Sequence, residues 1–202
     1  MALFDSIKTE VLNRLGGRTD LASRSEVWIN DAYYELLMHP RFNFFELDKA
    51  ATASTAANVR SYDLPTDIWY ILDIRDNTNN RKLIRSHWDR FDRLSRPTGQ
   101  PQRYARFGTT VEFDPTPDAV YTLIVRYKFR PVTLVTGASP IVPREWDEII
   151  TVMATIKGFE ALEQPDKAAL QRQLLESLLA IRLDVPQLED ADAESAIMPR
   201  FE

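Results

Sequence analysis

The sequence predicts an α+β protein: a four-helix bundle built from N- and C-terminal helices, an inserted antiparallel β-rich unit, and an extended C-terminal tail. Three observations lead there. Apolar residues recur at helical spacing at both ends of the chain. The middle switches to the period of two that a half-buried strand shows, and the last residues are acidic and interrupted by proline. The boundaries that follow are 1–41 for the first helical pair, 42–139 for the β-rich unit, 140–184 for the second helical pair and 185–202 for the tail.

The first helix is expected over Ala2 to Leu15, with Phe4, Ile7, Val11 and Leu15 near one face and Gly16-Gly17 as a left-handed stop. A capping-box pattern, Ser23-x-x-Glu26, marks the start of the second. Its two apolar rows, Trp28/Ala32/Leu36 and Ile29/Tyr33/Leu37, make a face broad enough to be packed on more than one side. It ends before Pro40, because a residue preceding proline is pushed out of the helical region.

Strands are expected at Phe44 to Leu47, Val59 to Leu64, Ile68 to Ile74 and Lys82 to Arg85, with Ala50 to Asn58 as a small, polar hairpin tip. Ser86 is placed to cap a short helix carrying Trp88, Phe91 and Leu94. A three-stranded meander then runs from Gln102 to Phe107, Thr110 to Asp114 and Tyr121 to Phe129, broken at Pro115 and Pro117 and stopped by Pro131.

After Pro140 the 3.6 period returns, with Trp146, Ile149, Ile150, Met153 and Ile156 on one face. A last helix from about Asp166 to Leu183 puts Leu170, Leu174, Leu178 and Ile181 on its expected core side. Each terminal helical pair has a face that needs a partner, and the simplest partner is the other pair.

Chemistry is sparse. With no cysteine and only His39 and His87, there is little material for a metal site or a nucleophile–base pair, so neither cofactor nor enzymatic activity is expected. Gly16-Gly17-Arg18 lacks the spacing of a phosphate loop. Asp73/Asp76 and Asp89/Asp92 read as solvated surface, and Trp28, Trp69, Trp88 and Trp146 as core anchors. No 18-residue apolar run and no signal-peptide start occur, so no membrane association is expected.

Charge is more informative. Between Arg81 and Arg106 lie eight basic residues against two acids, and from Asp184 onward six acids against Arg200, within a formal net charge of -5. Arg81, Arg85, Arg90 and Arg93 are therefore a candidate interface patch for an acidic partner surface. Ile197, Met198, Pro199 and Phe201 follow the acidic run and form a candidate docking arm.

The order Gly99-x-Pro101-x-x-Tyr104, Gly108, Pro115-x-Pro117, then a strand closing on Tyr127, Pro131 and Leu134, resembles the tailed-phage head-to-tail adaptor proteins, also called connector or head-completion proteins. So do Trp28-Ile29-Asn30-x-Ala32-Tyr33-x-Glu35-Leu36, Tyr62-x-Leu64-Pro65-x-Asp67 and Pro143-x-x-Trp146-x-Glu148-Ile149. The resemblance implies a virion protein of the neck, assembled in the host cytoplasm, that forms a ring, commonly dodecameric, beneath the portal. Its expected partners are further copies of itself, the portal protein and a downstream tail or stopper protein. Double-stranded DNA is expected to pass through the ring without sequence-specific binding, and the acidic net charge suits such a channel. The alternatives are another neck component, a stopper or tail terminator, or a DNA-binding packaging accessory protein using the basic patch.

Overall fold

The computed structural model describes residues 4–39, 42–92 and 97–183. It is α+β, and the chain divides into two compact units, Phe45–Pro131 and the segments on either side of it.

In the helical unit, α1 (Phe4–Arg14) buries Phe4, Ile7 and Val11. It stops where Gly16 and Gly17 take φ of 88° and 72°, which lets the Gly17 N–H reach back to the Leu12 carbonyl at 2.9 Å. A single 3-10 turn, Thr19–Leu21, leads into α2 (Ala22–Leu37). The expected capping box is not made: Leu21 occupies the N-cap, and no side chain caps the helix. Ser25 is buried, and its hydroxyl donates to the Ala22 carbonyl. Both apolar rows of α2 are buried.

A 3-10 turn at Arg144–Trp146 opens α4 (Asp147–Ala161), which touches α1, α2 and α5 (Pro165–Leu183). Burial on several sides explains why α4 reads as apolar nearly all round. The two threonines in its interior, Thr151 and Thr155, are satisfied by donating to the carbonyls of Asp147 and Thr151. The face expected to be the core side of α5 is not: Leu170 and Ile181 are 64% and 63% exposed and Leu174 is exposed as well, while Ala168 is the residue buried. Trp146 is half-buried, and its ring meets Phe42 and Phe44 edge-on at 4.9 and 5.0 Å.

In the β unit, a 3-10 turn at Phe45–Leu47 replaces the expected strand, and β1 (Asp48–Ser54) replaces much of the expected hairpin tip. Then come β2 (Ser61–Asp63), β3 (Ile68–Asp76), β4 (Arg81–Lys82), β5 (Ile84–Arg85), the short helix α3 (Trp88–Asp92), β6 (Arg103–Phe107), β7 (Thr110–Asp114) and β8 (Thr122–Phe129). They form two four-stranded sheets, ordered β1-β8-β3-β4 and β2-β7-β6-β5. The hairpin β6–β7 is antiparallel, as expected, and turns at Gly108 with φ 58°. The third strand of the expected meander does not continue it. After a cis Asp114-Pro115 peptide the chain crosses to the other sheet, where β8 lies between β1 and β3. The unit is also not wholly antiparallel, because β5 and β6 run parallel. Ile71, Ile74, Tyr104, Val111, Phe113, Leu123, Val125 and Tyr127 share the core of this unit. Lys128, which follows the core residue Tyr127 and so points to the other face of β8, is buried as well and donates to Asp48 at 2.6 Å.

Candidate functional site

Where the basic patch was expected, the chain passes from one sheet to the other within a few residues. Asp76 is fully buried and not the solvated carboxylate expected. Its Oδ1 accepts from the Thr78 and Asn79 amides at 2.9 and 3.2 Å, and its Oδ2 from Asn79 Nδ2 at 2.7 Å. Those bonds set the turn that delivers β4, with Asn80 in the left-handed region at φ 53°. The Leu83 N–H then donates to Ile74 in the first sheet, and the next amide, Ile84, donates to Gln102 in the second. Leu83 itself is buried.

This crossing leaves Arg81 and Arg85 exposed on strands of different sheets. Arg90 lies in α3 with its side chain outside the described residues, and Arg93 lies outside them altogether. Ile197, Met198, Pro199 and Phe201 also lie outside the described residues. Lys82 and Arg126 face Asp73 at 3.6 and 3.5 Å, and Arg103 faces Asp114 at 3.8 Å. At such distances, and with cations this exposed, these pairs contribute little to stability.

Beside Arg85 is a groove of about 490 Å³ lined by Arg85, Ser86, His87, Trp88 and Arg106. The imidazole of His87 and the indole of Trp88 lie 5.7 Å apart. Arg106 is fixed by donating to the Trp69 and Gly108 carbonyls at 2.7 and 2.9 Å. Among the large apolar side chains of the same unit, Ile84, Trp88 and Phe107 are exposed. Trp88 was expected to be a core anchor. Its neighbours His87 and Asp89 already mark a polar segment, in which Phe91 turns inward. Of the four tryptophans, Trp28 is the one that is buried.

A second cavity, of about 290 Å³, opens between the two sheets and is lined mainly by apolar groups such as Ala51, Leu64, Val111, Phe113, Leu123 and Val125. The Tyr62 hydroxyl, at the same place, is engaged with the backbone of Ala56 and Val59. Among the described residues, no group of three or more His, Asp or Glu is placed to hold a metal ion. Nor is any described helix long and apolar enough to cross a membrane.

The clearest electrostatic pairing in the β unit is Lys49 with Asp67. The Lys49 ammonium holds the Asp67 carboxyl below the usual range, and the carboxylate raises Lys49 in return. Tyr127 donates to the other oxygen of Asp67 at 3.0 Å. The pair joins β1 to the loop before β3 and is exposed at both ends. Asp67 and Tyr127, both among the residues that carry the adaptor resemblance, are thus hydrogen-bonded to each other.

Arginines and aromatic side chains beside a shallow groove are the residue types enriched in the centres of protein interfaces. No curated protein matches the chain. The family model of the SU10 adaptor protein matches residues 2–199, both units included. The chain belongs to the SU10 adaptor protein family, in keeping with its resemblance to phage head-to-tail adaptors and with a structural place in a phage virion.

Proposed function

We propose that the chain is a non-enzymatic ring-forming adaptor of the neck, several copies of which, twelve by resemblance, sit beneath the portal, join capsid to tail and let DNA pass. The observation that carries this reading is the family match over nearly the whole chain. The helical unit is read as the four-helix bundle of the ring body, supported by the position of α4 against α1, α2 and α5. The exposed Leu170, Leu174 and Ile181 of α5 support subunit contacts, since a helix face of this kind in a free monomer is exposed to water at a cost. The β unit, read as 42–139, carries the basic contact patch of Arg81, Arg85, Arg90 and Arg93. Residues 185–202, with Ile197, Met198, Pro199 and Phe201, are read as an arm that docks on another subunit of the neck.

The test is native mass and symmetry of the purified chain, alone and with its portal. A ring that forms in either condition and binds portal supports the adaptor. A ring that binds tail components but never portal supports a stopper or tail terminator. Salt-sensitive retention of duplex DNA at moderate ionic strength supports a packaging accessory and overturns the adaptor.

A further inference from the structure

We infer that the groove at Arg85 and Trp88 receives the acidic segment 188–201 of a second copy of this chain, an inference that rests on the adaptor reading. Three features of the groove select an acidic, extended occupant with a few apolar side chains.

The first is the open edge. Ile84 donates to Gln102, just before β6, and Ser86 donates to Tyr104 on β6. In a parallel pair successive residues face opposite sides, so Arg85 turns its own N–H and C=O away from β6 to the free edge of the sheet. An extended segment laid along that edge satisfies them.

The second is charge. Arg81, Arg85, Arg103 and Arg106 lie on β4, β5 and β6, and among the described residues Arg85 has no carboxylate within ion-pair distance. The segment 188–201 carries four side-chain carboxylates, Glu189, Asp190, Asp192 and Glu194, against one arginine. Complementary charge of this kind fixes both partner and register.

The third is the exposed indole of Trp88 in the groove, an apolar surface for one of Ile197, Met198 and Phe201 beyond the acidic run. Leu183 ends α5, and the 19 residues after it span up to about 60 Å when extended.

The chain has no cysteine, so introduced thiols report proximity without background. Full-length chains carrying His87→Cys and full-length chains carrying Ser195→Cys, distinguishable by mass, are mixed and oxidised. A Ser6→Cys with Ser195→Cys mixture is the control. The expected result is a heterodisulfide dimer joining positions 87 and 195, well above the control. Arg85→Glu in the receiving chain lowers its yield about tenfold, the factor that 1.4 kcal/mol represents. A yield no higher than the control, or one unchanged by Arg85→Glu, overturns the inference. So does a double variant that closes on itself as a monomer, or a Ser195→Cys chain that crosslinks to portal alone. Native mass of the same samples separates the two levels: copies that associate without this disulfide keep the adaptor reading and remove the inference. Copies that never associate, with or without portal, remove both.

Discussion

Asn30, in the middle of α2, closes two hydrogen bonds on the backbone of Leu134. Its Oδ1 accepts from the Leu134 N–H at 2.7 Å, and its Nδ2 donates to the Leu134 carbonyl at 3.1 Å. The amide side chain thus replaces a strand neighbour for the chain as it re-enters the helical unit. Asn30→Ala leaves both backbone groups short of a partner and costs about 1 to 3 kcal/mol. Asn30→Asp keeps the acceptor and loses the donor, and falls between. Urea denaturation of the two variants checks the order.

Trp146→Ala removes the ring that Phe42 and Phe44 contact edge-on. Full burial of a tryptophan sets a loss of roughly 3 to 5 kcal/mol on truncation, and the half-exposed position lowers it to about 2 to 3. Thermal unfolding should show the loss. A Trp146→Phe variant, which keeps an aromatic edge, should recover much of it.

Gly158 sits where α4 crosses Leu15 and Trp28. A Cβ there would lie 2.8 Å from Leu15 Cδ1 and 3.2 Å from the Trp28 ring. Gly158→Ala gains about 1 kcal/mol of helix propensity and loses a similar amount to crowding, so its stability should change little. Gly158→Leu has no such offset and should cost about 3 kcal/mol, read as a lowered midpoint in denaturant.

Burial pushes the Tyr33 phenol above its ordinary value, although the Ile141 amide donating to its oxygen works the other way. A raised folded-state value means that stability is fully present below about pH 10, where an unfolded tyrosine begins to ionise, and is lost as pH rises through the folded value. Tyr104 is raised by burial in the same sense. Denaturation midpoints measured from pH 8 to 12 should fall above about pH 10. Tyr33→Phe should flatten that fall while lowering stability at neutral pH through the hydrogen bond it removes.

Asp48→Ala removes the carboxylate that faces the buried Lys128 ammonium, and should cost about 1 to 3 kcal/mol. Lys128→Met should cost less, because the carboxylate left behind is 36% exposed and regains water. If the lysine variant proves the more damaging, the pair is not what holds β1 on β8.

The helices were legible where one face dominated. Phe4, Ile7 and Val11 in α1, and the two rows of α2, follow the spacing rule and are buried. In α5, leucine and alanine recur so often that several stripes fit, and the stripe through Leu170, Leu174 and Ile181 is the exposed one. The β6–β7 hairpin was legible because its turn is local. The partner of β8 was not, since pairing with Asp48–Ser54 and Ile68–Asp76 depends on distant strands. β1 itself, DKAATAS, has no large apolar residue and is largely exposed along its length, so alternation had nothing to mark. At the candidate site the sequence showed the charge excess of Arg81 and Arg85 but not the exposed Trp88, which only the crossing between sheets leaves at the surface.

Asp48 opens the first strand of the β unit, Lys128 nearly closes the last, and the two are direct antiparallel partners. The chain therefore enters and leaves the β unit through neighbouring strands, with paired Cα atoms about 5 Å apart. To the helical unit, everything between behaves as a short rigid clip and not as a long loop, so the entropy of closing it falls on the β unit's own folding. Natural or engineered exchange of the whole insert between related chains then has one geometric condition: the replacement must present two adjacent ends at the same spacing.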